Sequence, residues 1–163
     1  MLFNPGEKIF FKINTNLSLL GSSLFIACLA FSTFSYSKEI VISPGDDSQE
    51  RLQEAMILMS EGDTLVIKSG YYSFEDGLSL DVDNVIITGE GMDKTILDFK
   101  DQKSGAQGLL VTSDKVTLKD FAILDAKGDA LKVIGTKGIN MINLRTEWTG
   151  GPKSSNGAYG FYP

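Results

Sequence analysis

The chain has 163 residues, a length that fits one ordinary domain or the opening part of a larger protein. Fifteen lysine and arginine residues against twenty-one aspartate and glutamate residues give a formal net charge of −6, which disfavours binding to nucleic acid or to anionic lipid. The sequence has no histidine, so it lacks the commonest general base and the commonest zinc ligand.

The first 37 residues have the pattern of a secretory signal. Two lysines precede an uncharged run from Ile13 to Ser37, whose most apolar part covers residues 19–31, and small residues lead up to Lys38. A basic flank, a short apolar run and a small-residue exit predict a signal peptide over residues 1–37 and a mature chain over residues 38–163. An uncleaved membrane anchor is the alternative, for which about 20 apolar residues would be needed.

The single cysteine, Cys28, lies inside this segment, so the predicted mature chain has no cysteine and no disulfide. The stretch Phe25-Ile26-Ala27-Cys28 resembles the lipobox of bacterial lipoproteins, in which the cysteine carries the lipid. Phenylalanine stands where leucine is usual, however, and the apolar run continues past the cysteine. A cysteine packed inside a removed peptide is therefore the alternative, and both interpretations stay open from the sequence.

Two passes of one short pattern lie between Leu109 and Trp148. In each pass a polar turn, at residues 113–115 or 136–138, precedes a strand-like alternation of apolar and polar residues. The apolar positions of the two passes match at an offset of 23 residues: Val116 with Ile139, Leu118 with Met141, and Phe121 with Leu144. A fixed offset in the low twenties with period-two alternation predicts a solenoid of β-strands, in which each coil buries its apolar side against the next.

The predicted fold is therefore an all-β parallel β-helix. Leucine-rich and hexapeptide repeats are the competing solenoids, and neither fits, because the sequence has no LxxLxLxxN run and no strict six-residue step.

A helix is predicted before the first coils. The short strand pattern 39–42 ends at a proline-glycine turn, and Asp47 with Glu50 three residues later has the arrangement of a helix N-terminus. An apolar stripe at helical spacing follows, and Gly62 is expected to close the helix; the stripe is Leu52, Ala55, Met56 and Met59. Such a helix would cover the bare edge of the first coil.

The next motifs resemble a known superfamily. Residues 63–67 are predicted as the first strand of the stack, with 68–72 as its turn. This Gly-Asp-Thr strand followed by Gly-Tyr-Tyr, and then Gly89-Glu90-Gly91 followed by a strand at 95–98, resemble the entry to right-handed parallel β-helix proteins of the pectate-lyase-like superfamily. Glycine suits such corners because they need a positive φ or close backbone approach.

The last stretch resembles one family within that superfamily. In residues 145–163, a Trp-Thr-Gly-Gly loop leads into Gly-x-Tyr-Gly, as in the exported bacterial "parallel beta-helix repeat-containing" proteins. The resemblance covers residues 38–163 and implies a right-handed β-helix in a periplasmic, extracellular or lipid-anchored protein. It implies no assigned activity.

Two expectations concern loops and ends. Residues 85–87 match the later strands but precede Val116 by eight residues more than the later step, and the polar segment 101–107 is expected to hold this excess. Residues 158–162 begin a strand that nothing later in the sequence would cover. We therefore predict that this is the N-terminal part of a longer β-helix, incomplete at its C-terminus.

Arg145, Glu147 and Trp148 are the candidate substrate-binding residues. Proteins of the superfamily commonly act on acidic polysaccharides, with a basic side chain near the sugar carboxylate and often calcium held by acidic residues. An arginine for a carboxylate, a tryptophan face for a sugar ring and a glutamate for an ion or hydroxyl would form a subsite. Alternatively, Arg145 pairs with Glu147 or with an acid on the neighbouring coil, and Trp148 pins the loop.

Four aspartates are candidate calcium ligands, because each follows a predicted strand and they could line one edge of the stack: Asp98, Asp120, Asp125 and Asp129. Aspartate also favours corners for its own hydrogen bonds to nearby backbone, so solvated turns are the alternative.

Two functions are compatible with these features. The protein is either a non-catalytic exported scaffold that binds an acidic polysaccharide or another exported protein, or the N-terminal part of a polysaccharide lyase or uronate epimerase. No catalytic residue can be assigned, and the absence of histidine favours the scaffold. The sequence has no phosphate loop, dinucleotide fingerprint, CxxC or HExxH, so nucleotide, redox and zinc-protease functions lack their residues.

Overall fold

The computed structural model describes residues 36–154 and 156–163. The described chain contains one helix and thirteen short strands. Most of the predicted signal segment, including Cys28, lies outside the described residues. In chain order the elements are β1 Glu39–Ile42, α1 Ser48–Leu58, β2 Thr64–Ile67, β3 Gly70–Ser73, β4 Leu78–Leu80, β5 Ile86–Thr88, β6 Thr95–Asp98, β7 Gln107–Val111, β8 Thr117–Lys119, β9 Ala122–Leu124, β10 Asp129–Val133, β11 Asn140–Ile142, β12 Arg145–Glu147 and β13 Phe161–Tyr162.

The strands form three parallel sheets that the chain visits in turn. Sheet 1 has the order β1-β2-β5-β8-β11, sheet 2 has β3-β6-β9-β12, and sheet 3 has β4-β7-β10-β13. Each strand pairs with the strand one coil away. Coil 1 is thus β2 to β4, coil 2 is β5 to β7, coil 3 is β8 to β10, and coil 4 is β11 to β13. This is a parallel β-helix, as the sequence predicts.

The core runs along the axis of the solenoid as stacked rows of apolar side chains. Phe74 and Phe99, from coils 1 and 2, stack with ring centroids 4.7 Å apart and an interplanar angle of 19°. Burying one such side chain contributes about 1.5–3 kcal/mol to stability. The rows from coils 1 to 3, whose members are at most 1% exposed, are Leu65, Ile87 and Leu118 in sheet 1; Tyr72, Leu97 and Ile123 in sheet 2; and Leu78, Leu109 and Leu131 in sheet 3.

The predicted offset between the last two coils is confirmed. Leu118 pairs with Met141, and Ala122 pairs with Arg145, both 23 residues apart. Of the strand predicted to begin at residues 158–162, only residues 161–162 form a strand, β13, which pairs with β10. Of the predicted first strand, residues 64–67 form a strand, but it is β2, the second strand of sheet 1, because β1 pairs with it. The predicted turn at 68–72 is wrong, since β3 begins at Gly70.

The longer second coil was only partly predicted. Ile86 pairs with Thr117, an offset of 31. In the third coil two residues lie between the paired ends of β8 and β9, at Lys119 and Ala122, whereas seven lie between Thr88 and Ile96 in the second coil. The excess therefore lies partly in the turn between β5 and β6, and only the remainder lies in the β6–β7 loop, which contains residues 101–106 of the predicted segment.

Helix α1 caps the first coil as predicted, although its ends differ. The four residues of the apolar stripe are buried. Asp47 makes no side-chain cap and instead pairs with Arg51 at 3.0 Å, while the Ser48 hydroxyl accepts a hydrogen bond from the N–H of Gly45 at 2.8 Å. The helix ends at Leu58 and not near Gly62, because the next residue is already extended, with a ψ of 155°. In the residues that the structure describes, no helix has the length and apolar character needed to cross a membrane.

The helix also satisfies the open edge of sheet 3. The side-chain amide of Gln53 accepts a hydrogen bond from the N–H of Ser79 at 2.9 Å and donates one to its carbonyl at 3.0 Å. The amide oxygen of Gln49 accepts from the N–H of Glu75 at 2.7 Å. Ser79 lies on β4, the outermost strand of the sheet, so the glutamines provide the hydrogen bonds that a further strand would provide.

Candidate functional site

A cavity of about 660 Å³ lies at the corner where the chain passes from sheet 2 to sheet 3. We call it the corner cavity. Its walls come from the segments that follow β6, β9 and β12, so three successive coils build it. The lining residues are Lys100, Asp125, Ala126, Lys127, Trp148, Thr149, Gly150, Lys153 and Asn156.

The side chain of Trp148 is held in place by coil 3, the coil that precedes its own. Its indole N–H donates a hydrogen bond to the carbonyl of Ala126 at 2.7 Å, and the half-buried side chain packs against the solenoid core. The same residue lines the corner cavity. An indole held in this way presents a rigid aromatic surface to a ligand without losing further side-chain entropy on binding.

Asp125 holds the start of the loop that follows β12. Its carboxylate accepts one hydrogen bond from the N–H of Thr149 at 2.7 Å and another from its hydroxyl at 2.6 Å. Asp125 itself has a φ of 53°, a left-handed conformation that aspartate tolerates better than most residues. This carboxylate of the cavity is therefore already engaged by two protein donors.

The rest of this loop is closed by its own hydrogen bonds. The N–H of Gly151 donates to the carbonyl of Trp148 at 3.0 Å, and the Asn156 side chain donates to the carbonyl of Gly151 at 3.0 Å. The Lys153 side chain crosses Gly150 so closely that a Cβ atom there would lie 2.6 Å from its ammonium nitrogen. An alanine at position 150 would therefore make the end of the flexible Lys153 side chain shift.

Three lysines give the cavity its charge. Lys100, Lys127 and Lys153 line it, and within the described residues none of them forms an ion pair with a carboxylate. In a chain with a net charge of −6, three ammonium groups beside one hydrogen-bonded carboxylate make this corner locally positive.

Buried groups position two of these lysines. The N–H of Lys100 donates to the carboxylate of Asp98 at 2.9 Å. The N–H of Lys127 donates to the amide oxygen of Gln102 at 3.0 Å, and the Gln102 amide nitrogen donates at 2.9 Å to the carbonyls of Ser104 and Gln107. Gln102 is fully buried, so it fastens the loop of coil 2 to the corner of coil 3.

Arg145 and Glu147 lie outside the cavity. The Arg145 guanidinium pairs with the carboxylate of Glu147, lies 3.5 Å from that of Asp93, and donates a hydrogen bond to the carbonyl of Met92 at 3.2 Å. The structure therefore brings Arg145 and Glu147 together but places Trp148 in a different environment. The guanidinium contacts match the alternative interpretation of this motif, in which Arg145 binds protein groups.

The outer face of sheet 2 contains one group that the sequence did not indicate. Tyr71 lies in register with Ile96, and Ile96 with Ala122, which pairs with Arg145. Burial raises the pKa of the Tyr71 hydroxyl, the nearby Asp98 carboxylate raises it further, and Arg145 opposes the shift. A phenol with a raised pKa stays protonated at neutral pH, so it is poorly suited to act as a general base.

The four predicted metal ligands are dispersed. Asp98 is buried next to the segment leading to Lys100, and Asp125 lines the corner cavity. Asp120 lies at the opposite end of β9, where its carboxylate accepts a hydrogen bond from Asn143 at 3.1 Å, and Asp129 lies 3.6 Å from the Lys132 ammonium. Over residues 36–154 and 156–163, no group of three or more acidic, cysteine or histidine side chains is placed to hold a metal ion.

The sequence did not single out the three lysines or Gln102. Each lysine lies in a polar connection, where lysine is common and usually solvated. Only the strand ends, once known, show that Lys100 and Lys127 follow equivalent strands of neighbouring coils.

Comparisons with known proteins assign no family. No family model matches the sequence, and no curated protein matches it. Among solved structures, the chain is similar to a mutant of the PL6 family alginate lyase AlyGC, with 18% sequence identity and a TM-score of 0.45. The likeness covers 68% of this chain and 19% of that chain, so this chain spans about a fifth of the lyase. The resemblance to exported repeat proteins stays a prediction.

Proposed function

We propose that the protein binds an acidic polysaccharide in the corner cavity. The observation that carries this proposal is the gathering of three lysines around the chain's single tryptophan in an otherwise acidic protein. The lysines come from three successive coils and form no ion pair with any residue of the described part of the chain. A polymer with one carboxylate per sugar offers the matching chemistry, since each sugar ring has an apolar face and each carboxylate an anionic charge.

Because its cationic side chains are lysines, the cavity recognises the charge of a ligand more than the ligand's shape. An ammonium binds an anion as a point charge, whereas arginine binds carboxylates through a planar, bidentate fork. Each exposed lysine contributes roughly 0.2–1 kcal/mol, so binding should be weak for one sugar, increase with the number of anionic groups, and weaken with salt.

The side chains near the cavity support binding of the polysaccharide without catalytic turnover. Tyr71 has a raised pKa and Arg145 is paired with acids, so neither group is a ready base for proton abstraction from a sugar. The alternative, in which the chain is part of a polysaccharide lyase or epimerase, needs catalytic groups that the described residues do not display.

Export belongs to the same proposal. A polysaccharide of this kind is met outside the cytoplasm, and the signal pattern over residues 1–37 supports delivery to the periplasm or beyond. Whether Cys28 carries a lipid is tested by labelling cells with a radioactive fatty acid, with Cys28→Ala as the unlabelled control.

Titration calorimetry of the purified protein with polygalacturonate, alginate and neutral dextran tests the binding proposal. We expect binding to both acidic polymers, none to dextran, and a loss of at least roughly fivefold in affinity when Lys100, Lys127 and Lys153 are all replaced by alanine. The matched control replaces Lys115, Lys119 and Lys137, which lie away from the cavity, and removes the same net charge.

Two outcomes would contradict the proposal. Equal losses in the two triple variants would mean that only net charge matters. An unsaturated, ultraviolet-absorbing product formed from either acidic polymer, with or without calcium, would show a lyase instead of a binding protein.

A further inference from the structure

We infer that the corner cavity holds a stretch of three consecutive anionic sugars that lies along the solenoid axis and stops at coil 1. This inference rests on the proposed function, and it adds the orientation, the length and one boundary of the bound ligand.

The orientation follows from where the lysines lie in the fold. Lys100 follows β6 in coil 2, Lys127 follows β9 in coil 3, and Lys153 follows β12 in coil 4. Neighbouring strands of a sheet are about 4.8 Å apart, so the three positive segments succeed one another along the axis, not along a strand. An anionic chain laid across the coils can contact all three, whereas a chain parallel to the strands meets only one coil.

The boundary follows from a reversal of charge at the same corner. Ser73 pairs with Asp98, so Glu75 of coil 1 is level with Lys100 of coil 2. Glu75 and Asp76 line a second cavity of about 650 Å³ together with Asp46 and Glu50. The corner is therefore acidic in coil 1 and basic from coil 2 onward.

The carboxylates at this boundary are held in place. Asp76 accepts hydrogen bonds from the Ser104 hydroxyl and from the Gln49 amide at 3.3 Å, both neutral donors that keep the carboxylate ionised. Glu75 pairs with Lys103 at 2.6 Å and is partly neutralised. Repulsion between like charges disfavours a fourth anionic sugar over coil 1. The acidic residues therefore limit the length of oligosaccharide that the cavity binds.

The chain has one tryptophan, so its fluorescence reports on this cavity without a label. Oligogalacturonates of one to six sugars are titrated into the full-length protein at low salt. We expect affinity to rise roughly two- to fivefold per sugar up to three sugars and then to level off, because each added carboxylate forms one exposed ion pair.

Two variants test the two ends of the proposed three-sugar site separately. Lys153→Ala should bring the plateau forward to two sugars. Asp76→Asn combined with Glu50→Gln preserves the side-chain size and one acceptor oxygen at each position but removes two negative charges, and it should let affinity rise again at four sugars. Lys137→Ala, remote from the cavity, should leave the length dependence unchanged.

The outcomes separate this inference from the proposed function. Affinity independent of length, or a wild-type affinity that continues to rise beyond three sugars, would refute the inference while leaving polysaccharide binding intact. A complete absence of binding for every oligomer and for the polymers would refute both.

Discussion

The carboxylate of Asp125 accepts two hydrogen bonds from Thr149, one from its N–H at 2.7 Å and one from its hydroxyl at 2.6 Å. The two residues lie on neighbouring coils, and together they set where the loop of coil 4 leaves sheet 2.

Asp125→Asn should loosen this loop. Asparagine accepts hydrogen bonds through one oxygen only and tolerates the left-handed φ of 53°, so the change removes an acceptor and leaves the backbone unstrained. We expect a loss of about 1–2 kcal/mol in the free energy of unfolding, measured by urea denaturation. Thr149→Ser keeps both donors and should behave as the wild type; equal losses in the two variants would contradict this account.

Gln102→Leu should be among the more damaging single changes outside the apolar core. It leaves the N–H of Lys127 and the carbonyls of Ser104 and Gln107 without their partner, and burying unsatisfied polar groups costs about 1–3 kcal/mol each where water cannot replace the bond. We expect a loss of roughly 2–4 kcal/mol in urea denaturation. Lys103→Gln in the same loop changes an exposed side chain and should cost little; a Gln102→Leu loss below that of this control would refute the assignment.

Acid should weaken the corner between Glu90 and Ser69. Hydrogen bonds from the Ser69 N–H, at 2.7 Å, and from the Lys68 ammonium, at 2.9 Å, lower the pKa of Glu90 to about 2. A carboxyl whose pKa is lower in the folded state stabilises the fold above its ordinary value of 4.5, and this contribution is lost as the pH falls towards 2. Asp63 is shifted in the same direction, chiefly by the N–H of Ser60.

Glu90→Gln tests this pH dependence. The variant should be less stable than the wild type at neutral pH, and the difference should shrink between pH 4.5 and pH 2, as followed by urea denaturation at a series of pH values. A difference that stays constant across this range would show that the charge of Glu90 is not involved. Asp81→Asn, at an exposed position, serves as the control.

Gly128→Ala should prevent the normal stacking of coils 2 and 3. A Cβ atom at this position would lie 1.6 Å from the carbonyl oxygen of Ala106, so one of the two backbones must move. We expect a loss of several kcal/mol or failure to fold, judged by circular dichroism and denaturation. Gly135→Ala provides a contrast, since nothing lies within 4 Å of its Cβ position and the cost there should come only from its φ of 68°. A mild effect at Gly128 would mean that this corner is less rigid than its geometry indicates.

The sequence predicted the parts of the fold that repeat. Stacked strands must have the same inward pattern, so the match of Leu118 with Met141 is visible without coordinates. The apolar stripe of the helix is visible for a similar reason, because a helix that buries one face always has apolar residues three and four positions apart. Corners need not repeat the same residue pattern from coil to coil. For this reason the sequence predicted the extra residues of coil 2 in one loop, whereas they lie in both the β5–β6 turn and the β6–β7 loop.

The candidate site was harder to predict because it depends on contacts between coils. Arg145 reaches Asp93, 52 positions earlier in the chain, and no local pattern indicates that contact. Trp148 lies at a corner, and the lysines that accompany it come from coils 2, 3 and 4. They are 27 and 26 residues apart, a spacing that differs from the 23-residue offset of the repeating strands and so is not visible as part of the repeat. Charge on a surface can be read as a site only when the folded chain shows which residues share it.

The glutamine side chains of α1 have a consequence for self-association. A parallel sheet normally grows wherever a strand leaves its N–H and carbonyl groups free, which is how cross-β fibrils elongate. Gln53 occupies both groups of Ser79, so at that position no second molecule can dock a strand without first displacing an amide. The helical end of the molecule is thereby protected against fibril growth at Ser79.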